Sequence, residues 1–233
     1  MVVKVGHRGA AGHEPENTLR SFRRAMELGA DMVELDVHLC GSGELVVIHD
    51  ETLDRTTDGT GEVAKMTLNE LRALDAGEGE RIPTLQEVID LATGRMGINI
   101  ELKGLGTAEL TLEHIEDAVE KGWDRSGFQV SSFHIGELSA IRELSEDVRT
   151  AVLFALDDGG IMEFAELNSA YSINPNHRAV TSDLVTKAHD RGLKIFAWTV
   201  NEPEDIARMK GLDVDGIISD YPDRIDETPT QTR

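Results

Sequence analysis

The stretch Val33-Glu34-Leu35-Asp36-Val37-His38-Leu39 alternates apolar and polar side chains along its whole length. A period of two is typical of a β-strand, because successive side chains of a strand point to opposite faces of the sheet. The apolar face would pack against helices, whereas Glu34 and Asp36 would share the other face. The pattern therefore predicts a strand that is covered by helices on one side and carries an acidic site on the other.

Strand-like and helix-like runs alternate along the chain around this stretch. We predict strands over residues 2–6, 32–39, 97–102, 128–131, 148–154, 170–173, 193–200 and 216–218, with a short run at 45–48 joined to the second strand. We predict helices over residues 17–28, 85–92, 108–120, 135–144, 161–167, 181–191 and 204–209. Such alternation indicates a parallel sheet, and eight units favour a (β/α)8 TIM barrel over an open doubly wound sheet. No G-x-G-x-x-G follows the first strand, which disfavours a dinucleotide-binding fold.

Two places in the chain depart from this regular pattern. Residues 50–81 stand where a single helix should follow the second strand, and we interpret them as an insertion that covers one mouth of the barrel. The tail after Tyr221 is too short for a full eighth helix, so the sequence leaves closure of the barrel open at that point. Asn17 is expected to cap the first helix.

The charge of the chain is strongly negative. Its 233 residues suit one domain, 1–233, and they hold 44 acidic against 23 basic side chains, a net charge of -21. Such a surface repels nucleic acid and anionic membranes, and a phosphate site on it needs local cations. One interpretation is adaptation to high salt, where the repulsion is screened. The alternative is an ordinary acidic protein.

The location of the protein is predicted from what the sequence lacks. No run of apolar residues is long enough for a membrane helix, and no signal peptide is recognised at the start. Cys40 is the single cysteine, which excludes an internal disulfide and suits a reducing compartment. We therefore expect a cytoplasmic protein without stable membrane insertion.

Polar side chains gather at the predicted carboxyl ends of the strands, where barrel enzymes carry their chemistry. Glu34 and Asp36 share a strand face, and Glu101 and Lys103 share another by the same rule. Three carboxylates that converge cannot all stay ionised without a cation, and all-oxygen ligands suit Mg²⁺ or Ca²⁺. The alternative is a structural cluster neutralised by Lys103 and Arg8.

Two histidines, His7 and His49, end adjacent strand segments. A pair of imidazoles across one site can serve as acid and base, since their ordinary pKa lies near neutrality. Arg8 adds a planar fork that suits a phosphate or a carboxylate. Together with a metal site, these groups are typical of hydrolysis at phosphorus.

The residues resemble those of the glycerophosphodiester phosphodiesterases from His7 almost to Pro222. The matching blocks are HRG at 7–9, PENT at 15–18, VELDVHL at 33–39, VVIHD at 46–50, LDRTTDGTG at 53–61, IPTL at 82–85, NIELK at 99–103, WTVN at 198–201 and DGIISDYP at 215–222. Each block alone is a weak signal, whereas all of them in order are specific.

The resemblance implies a TIM barrel of the phospholipase C-like phosphodiesterase type, with a small insertion after the second strand. It implies that His7 is the general base and that His49 is the general acid. Glu34, Asp36 and Glu101 would hold one divalent cation, Mg²⁺ or Ca²⁺, with Mn²⁺ as an alternative. Arg8 and Lys103 would face the phosphate. An apolar wall near the glycerol or the leaving group would come from Trp198, Phe133 and Phe154.

The implied activity is metal-dependent hydrolysis of a small glycerophosphodiester to glycerol phosphate and an alcohol. One alternative is a lysophospholipase D-type phosphodiesterase that acts on a lipid, which would need an open apolar groove. The other is a non-catalytic barrel that binds a phosphorylated ligand. That alternative would be favoured by the loss of a histidine or of a metal carboxylate, and every one of these residues is present.

Overall fold

A closed barrel of parallel strands forms the centre of the protein in the computed structural model, which describes residues 2–156 and 160–226. The strands are β1 Val3–Gly6, β2 Met32–Leu39, β3 Leu45–Val47, β4 Gly97–Leu102, β5 Phe128–Ser132, β6 Arg149–Phe154, β7 Ser172–Pro175, β8 Lys194–Ala197 and β9 Gly216–Ser219. All but β3 are parallel members of the barrel, and β3 pairs antiparallel with β2. The predicted (β/α)8 TIM barrel is confirmed, whereas the short run after the turn is a separate strand that pairs antiparallel with the second strand and is not part of it.

The barrel closes at the point that the sequence left open. β9 pairs with β1 from Val3 opposite Gly216 to Gly6 opposite Ser219, and β1 pairs in turn with β2. Among the described residues after β9, a 3₁₀ turn, Pro222–Ile225, stands where an eighth helix would begin, and Ile225 is buried. Closure depends on the strand hydrogen bonds, so this short cover is sufficient.

The helices lie outside the barrel and cover its apolar surface. They are α1 Leu19–Glu27, α3 Leu85–Ala92, α4 Ala108–Glu120, α5 Ile135–Leu144, α6 Ile161–Leu167, α7 Ser182–His189 and α8 Pro203–Gly211. Val33, Leu35 and Val37 are fully buried in one cluster with helix residues such as Phe22 and Val88. None of the helices in the described residues has the length and apolar character needed to cross a bilayer.

The first helix begins later than predicted, and Asn17 is not its cap. Asn17 has a φ of 58°, which lies in the left-handed region and cannot continue into a helix. Thr18 caps α1 instead, because its side chain accepts a hydrogen bond from the backbone N–H of Ser21. The Asn17 side chain is thereby free to take a different role, described below.

The segment that breaks the regular pattern has its own small core. It contains a 3₁₀ turn, Val63–Lys65, and the short helix α2, Leu68–Leu71. Leu53, Val63 and Leu71 are buried in a cluster that also includes Val46 of β3 and Ile48 just after it. The segment is therefore anchored on β3, beside the carboxyl end of β2.

Candidate active site

Three carboxylates converge inside the barrel, at the carboxyl ends of β2 and β4. Asp36 lies opposite Glu101 in the register of these neighbouring strands, and Glu34 precedes Asp36 on the same face. One ligand oxygen from each of the three lies within 4.8 Å of the others. Their exposed fractions are 4% for Glu34, 0% for Asp36 and 8% for Glu101, so the three residues are almost completely buried.

The electrostatics of this cluster favour a cation. Burial, followed by the charges of Asp36 and Glu101, raises the pKa of Glu34 well above its usual range. Burial, together with Asp36, raises the pKa of Glu101 to about 7, although Lys103 acts in the opposite direction. Asp36 Oδ1 is buried and has no hydrogen-bond partner among the described residues. Such a set of oxygens could hold a divalent metal ion.

The loop after β1 brings Arg8 against this cluster. The Arg8 backbone N–H donates to Glu34 Oε2 at 2.8 Å, and Arg8 Nε lies 3.3 Å from Asp36 Oδ2. Arg8 Nη1 donates to Glu16 Oε1 at 2.7 Å. Arg8 therefore binds two of the three carboxylates, and Glu16 fixes the far end of its guanidinium.

This loop needs glycine directly after Arg8. Arg8 itself has a φ of 49°, and Gly9 has a φ of 86°. A Cβ at Gly9 would stand 2.4 Å from Ser21 Oγ of α1, too close for any side chain. Ser21 Oγ also donates to the Arg8 carbonyl at 2.9 Å, which holds the loop on the helix. The close approach to Ser21 and the left-handed backbone explain why the third residue of the His-Arg-Gly sequence is glycine.

His7 is oriented by a carboxylate that directly follows the last strand. His7 Nδ1 lies 2.6 Å from Asp220 Oδ1, and Asn201 Nδ2 donates to Asp220 Oδ2 at 2.6 Å. Burial is the largest effect and raises the pKa of Asp220, but the contacts with His7 and Asn201 and the charge of Arg8 together keep that pKa below its usual value. Because a carboxylate only accepts, Nδ1 of His7 carries a proton and Nε2 is left for the pocket.

His49 is oriented in the same way by the next residue in the chain. Its Nδ1 lies 2.5 Å from Asp50 Oδ1, and Asp50 in turn binds Arg55. His38 Nε2 donates to the His49 carbonyl at 3.1 Å, so His38 lies behind the site and not in it. Burial lowers the pKa of His49, although Asp36 and Asp50 partly offset this effect.

Lys103 and two aromatic rings border the other side of the pocket. Lys103 Nζ lies 3.1 Å from Glu101 Oε1 and 5.7 Å from the centre of the Phe133 ring. The Phe133 ring meets Trp198 edge to face, with 5.5 Å between the ring centres. Trp198 Nε1 donates to the Asn174 carbonyl at 2.7 Å, which fixes the indole in place.

Phe154 does not reach the pocket, contrary to the expectation from the sequence. It is buried in the cluster between the strands and the helices, together with Val152. Leu153 lines the pocket instead. The reason is the strand alternation, because neighbouring side chains on β6 point to opposite faces.

One pocket is lined by nearly all of the other residues that were predicted for the site. It is lined by His7, Arg8, Glu34, His49, Asn99, Glu101, Lys103, Ser131, Phe133, Leu153, Trp198, Thr199 and Ile218. Asp36 lies beneath it as part of the acidic cluster.

Several residues that orient this site were not assigned to it from the sequence. They are Glu16, Asn17, Asp50, Arg55, Asn201 and Asp220. Asn17 Nδ2 donates to Asp36 Oδ2 at 2.9 Å, so it holds a cluster carboxylate and does not cap a helix. All six lie inside the blocks of resemblance, which was the available signal.

Comparison with known proteins places the chain among enzymes. The model of the glycerophosphoryl diester phosphodiesterase family matches residues 7–224. A glycerophosphodiester phosphodiesterase of Caldanaerobacter subterraneus subsp. tengcongensis is 39% identical over 236 residues, covering 95% of each chain. A glycerophosphodiester phosphodiesterase of Bacillus altitudinis is 37% identical over 236 residues, covering 96% of each.

A solved structure agrees with the sequence comparisons. It is a phosphodiesterase from Oleispira antarctica in complex with the product sn-glycerol-3-phosphate. The two chains superpose with a TM-score of 0.88 at 32% identity, covering 95% of this chain and 94% of that one. Because a family model spans nearly the whole chain and relatives match it over almost their full length, the chain belongs to the glycerophosphoryl diester phosphodiesterase family and is a phosphoric diester hydrolase.

Proposed function

We propose that this protein hydrolyses small glycerophosphodiesters to glycerol phosphate and an alcohol, with a divalent cation, a histidine base and a histidine acid. One observation carries the proposal. Two histidines, each oriented by its own carboxylate, border the pocket that holds the three-carboxylate cluster. The names of the matched relatives and the product bound in the Oleispira antarctica structure support the same substrate class.

Glu34, Asp36 and Glu101 are the residues that would hold the cation. The fit is supported by the unpartnered Asp36 Oδ1 and by the raised pKa values of both glutamates, which a bound cation would reverse. Oxygen donors favour Mg²⁺ or Ca²⁺, with Mn²⁺ as an alternative. When bound, the cation supplies positive charge that polarises the phosphoryl group.

The two histidines would divide the proton transfers between them. With Nδ1–H held by Asp220, neutral His7 presents the lone pair of Nε2 and can take a proton from the attacking oxygen. With Nδ1–H held by Asp50, protonated His49 presents Nε2–H and can give a proton to the leaving alkoxide. The charge that develops on phosphorus oxygens would be shared by Arg8 and Lys103, which line the same pocket.

The aromatic pair would contact the organic part of the substrate. Phe133 and Trp198 form an apolar wall beside Lys103, so a phosphate held by Lys103 would place its neighbouring group against the rings. Contact with these two rings suits a small head group, so we favour a small diester over one with a long acyl chain.

The first test is release of glycerol phosphate from glycerophosphocholine and glycerophosphoethanolamine at high salt. Parallel reactions contain Mg²⁺, Ca²⁺, Mn²⁺ or excess chelator, and lysophosphatidylcholine serves as the lipid substrate. We expect turnover of the small diesters that chelator abolishes and one metal restores. Absence of turnover with every metal, on a folded sample, contradicts the proposal, and turnover of the lipid alone would favour the lysophospholipase D alternative.

Variants then test the individual roles. His7→Ala and His49→Ala should each lower kcat by roughly 10²- to 10⁴-fold, the usual contribution of a positioned acid or base. Metal binding, followed by calorimetry, should persist in both variants because neither histidine belongs to the acidic cluster. Full activity in either variant would refute the role of that histidine.

A further inference from the structure

Arg55 connects the insertion to the pocket. Its Nε donates to Asp50 Oδ2 at 2.7 Å and its Nη2 to Asp50 Oδ1 at 3.0 Å. The other edge of the guanidinium binds Glu16, with Nη1 at 2.8 Å from Oε2 and Nη2 at 2.9 Å from Oε1. One planar cation thus binds two carboxylates, each through both oxygens, a geometry that only arginine offers.

Each of these carboxylates also holds a residue of the proposed machinery. Asp50 binds Nδ1 of His49, and Glu16 binds Nη1 of Arg8. Arg55 therefore closes a chain of hydrogen bonds from the loop after β3 to the loop after β1. His49 lies at one end of this chain, and Arg8 lies at the other.

A tightly bonded turn presents Arg55 to these partners. Leu53 is fully buried, and its carbonyl accepts hydrogen bonds from both the backbone N–H and the hydroxyl of Thr57. The Leu53 N–H donates to the Gly61 carbonyl, and the Gly61 N–H donates to Asp54. The LDRTTDGTG block, which the reaction itself leaves unexplained, is the part of the chain that builds this turn.

Loss of Arg55 would leave Asp50 without its main partner. The hydrogen bonds from Arg55, more than those from His49, hold the pKa of Asp50 far below its usual range. In a chain with a net charge of -21, Asp50 without Arg55 would be repelled by nearby carboxylates such as Glu16 and would turn toward water. His49 would then lose the contact that orients its ring.

We propose that Arg55 is a positioning residue for His49, acting through Asp50 and anchored on Glu16. The inference rests on the proposed role of His49 as general acid. It assigns the insertion a part in the reaction, because the insertion supplies Arg55, whose guanidinium connects the loop that carries His49 to the loop after β1. Arg8 keeps its contacts with Glu34 and Asp36 when Arg55 is removed, so the main effect should fall on His49.

The test compares two leaving groups. Choline leaves glycerophosphocholine as a strongly basic alkoxide that needs a proton, whereas the p-nitrophenyl diester of glycerol phosphate releases a weakly basic phenolate that does not. We expect Arg55→Gln to lower kcat on glycerophosphocholine by about 10- to 100-fold, a smaller loss than the one expected for His49→Ala. On the p-nitrophenyl diester, the same variant should lower kcat by at most about three-fold. Equal losses on both substrates overturn the inference, since a general structural defect would affect them alike.

Arg20 provides a matched control. It also bridges two carboxylates, with Nε 2.5 Å from Glu14 Oε2 and Nη1 2.8 Å from Glu78 Oε2. Its side chain is 43% exposed against 47% for Arg55, and neither Glu14 nor Glu78 binds a histidine. Arg20→Gln changes the net charge by the same amount as Arg55→Gln. It should leave kcat on both substrates within about two-fold, because surface substitutions of this kind usually disturb the fold little.

Further variants separate the possible failures. If Arg55 acts through Asp50, the double variant Arg55→Gln with Asp50→Asn should lose no more than Asp50→Asn alone, and additive losses would contradict the inference. Arg55→Lys keeps the charge but cannot bind two carboxylates through both oxygens of each, so it should show the same preference for the p-nitrophenyl substrate, and it replaces Arg55→Gln if that variant does not fold. His49→Ala is measured in parallel. If its kcat falls equally on both substrates, the general-acid role of His49 is wrong. If its kcat falls more on glycerophosphocholine but that of Arg55→Gln does not, only the role of Arg55 is wrong.

Discussion

At the scale of single residues, two aspartates decide which histidine nitrogens face the pocket. Asp50 follows His49 directly, whereas Asp220 lies 213 residues from His7. In both pairs the carboxylate binds Nδ1, so both rings present Nε2. The sequence identified the histidines by their place after strands, but it assigned no role to either aspartate. For Asp220 that is understandable, since only closure of β9 on β1 brings it to His7.

The raised pKa of Glu101, about 7, has a consequence for stability in the absence of metal. In the unfolded chain a glutamate loses its proton near pH 4.3, so between this pH and about 7 the native state binds more protons. The free energy of unfolding must therefore fall as the pH rises through this window, by up to about 1.4 kcal/mol per pH unit for one retained proton. We expect chelated wild-type protein to lose stability relative to Glu101→Gln between about pH 5 and about pH 7.

Chemical denaturation of both proteins in excess chelator checks this expectation. Taking the difference between them removes the shared contribution of the histidines. Added metal should reverse the trend for wild-type protein, since metal binding needs ionised carboxylates and grows stronger with pH. A difference that does not change with pH would show that Glu101 is ionised in the metal-free protein.

At the scale of elements, the predicted and observed boundaries differ where local pattern and pairing compete. β7 was expected over residues 170–173 and extends over Ser172–Pro175, because its pairing with β6 and β8 begins at Ser172. β2 and β4 match the prediction, since their period-two pattern and their pairing coincide. Glu34, Asp36 and Glu101 lie inside β2 and β4, whose predicted bounds are correct. The shift of β7 therefore does not move the acidic cluster.

The β4–α4 loop shows how one element fixes another, and it permits a prediction of stability. Glu137 of α5 accepts hydrogen bonds from the backbone N–H groups of Gly106, Thr107 and Ala108 at 2.8, 3.1 and 3.0 Å. It therefore caps α4, a task that the Thr107 side chain does not perform. Glu137→Ala should lower the free energy of unfolding by about 1–2 kcal/mol, in the range of a lost helix cap.

Thermal or urea unfolding measures this change, and a shift of roughly 2–4 °C in Tm is expected per kcal/mol for a chain of this size. Glu113→Ala is the matched control. Glu113 is exposed on α4, the helix that Glu137 caps, and its side chain makes no hydrogen bond within the described part of the chain, so its removal should change Tm little. Equal effects of the two substitutions would show that the contact across the loop adds no stability.

At the scale of the whole molecule, the net charge of -21 is the dominant feature of the surface. Folding brings 44 acidic groups closer together than they are in the unfolded chain, so their repulsion opposes the folded state. Salt screens this repulsion, and the Debye length falls from about 10 Å at 0.1 M to about 3 Å at 1 M. We expect the Tm to rise with KCl concentration, with most of the increase below about 1 M.

Thermal unfolding in KCl and in NaCl checks this prediction. Screening depends on ionic strength, so the two salts should act alike. A Tm that stays constant or falls would mean that the ion pairs of the surface outweigh the repulsion, and the acidic composition would then be related to solubility alone. Such a result would also remove the argument for a high-salt habitat.

The sequence by itself determined the order of strands and helices, the barrel, and most of the residues that line the candidate site. These features depend on periodicity and on position along the chain, which are local properties: Glu34 and Asp36 share a face because they are two residues apart on a strand. The tertiary structure decided which side chains complete the site. Asp220 reaches His7 by barrel closure, Asn17 turns to Asp36, Arg55 bridges Asp50 and Glu16, and Phe154 faces the helices. The contacts of Asp220, Asn17 and Arg55 join different elements of the fold, and Phe154 is separated from Leu153 only by the face of β6 to which it points. The packing of the whole barrel decides both, since no local pattern shows which elements meet or which strand face turns inward.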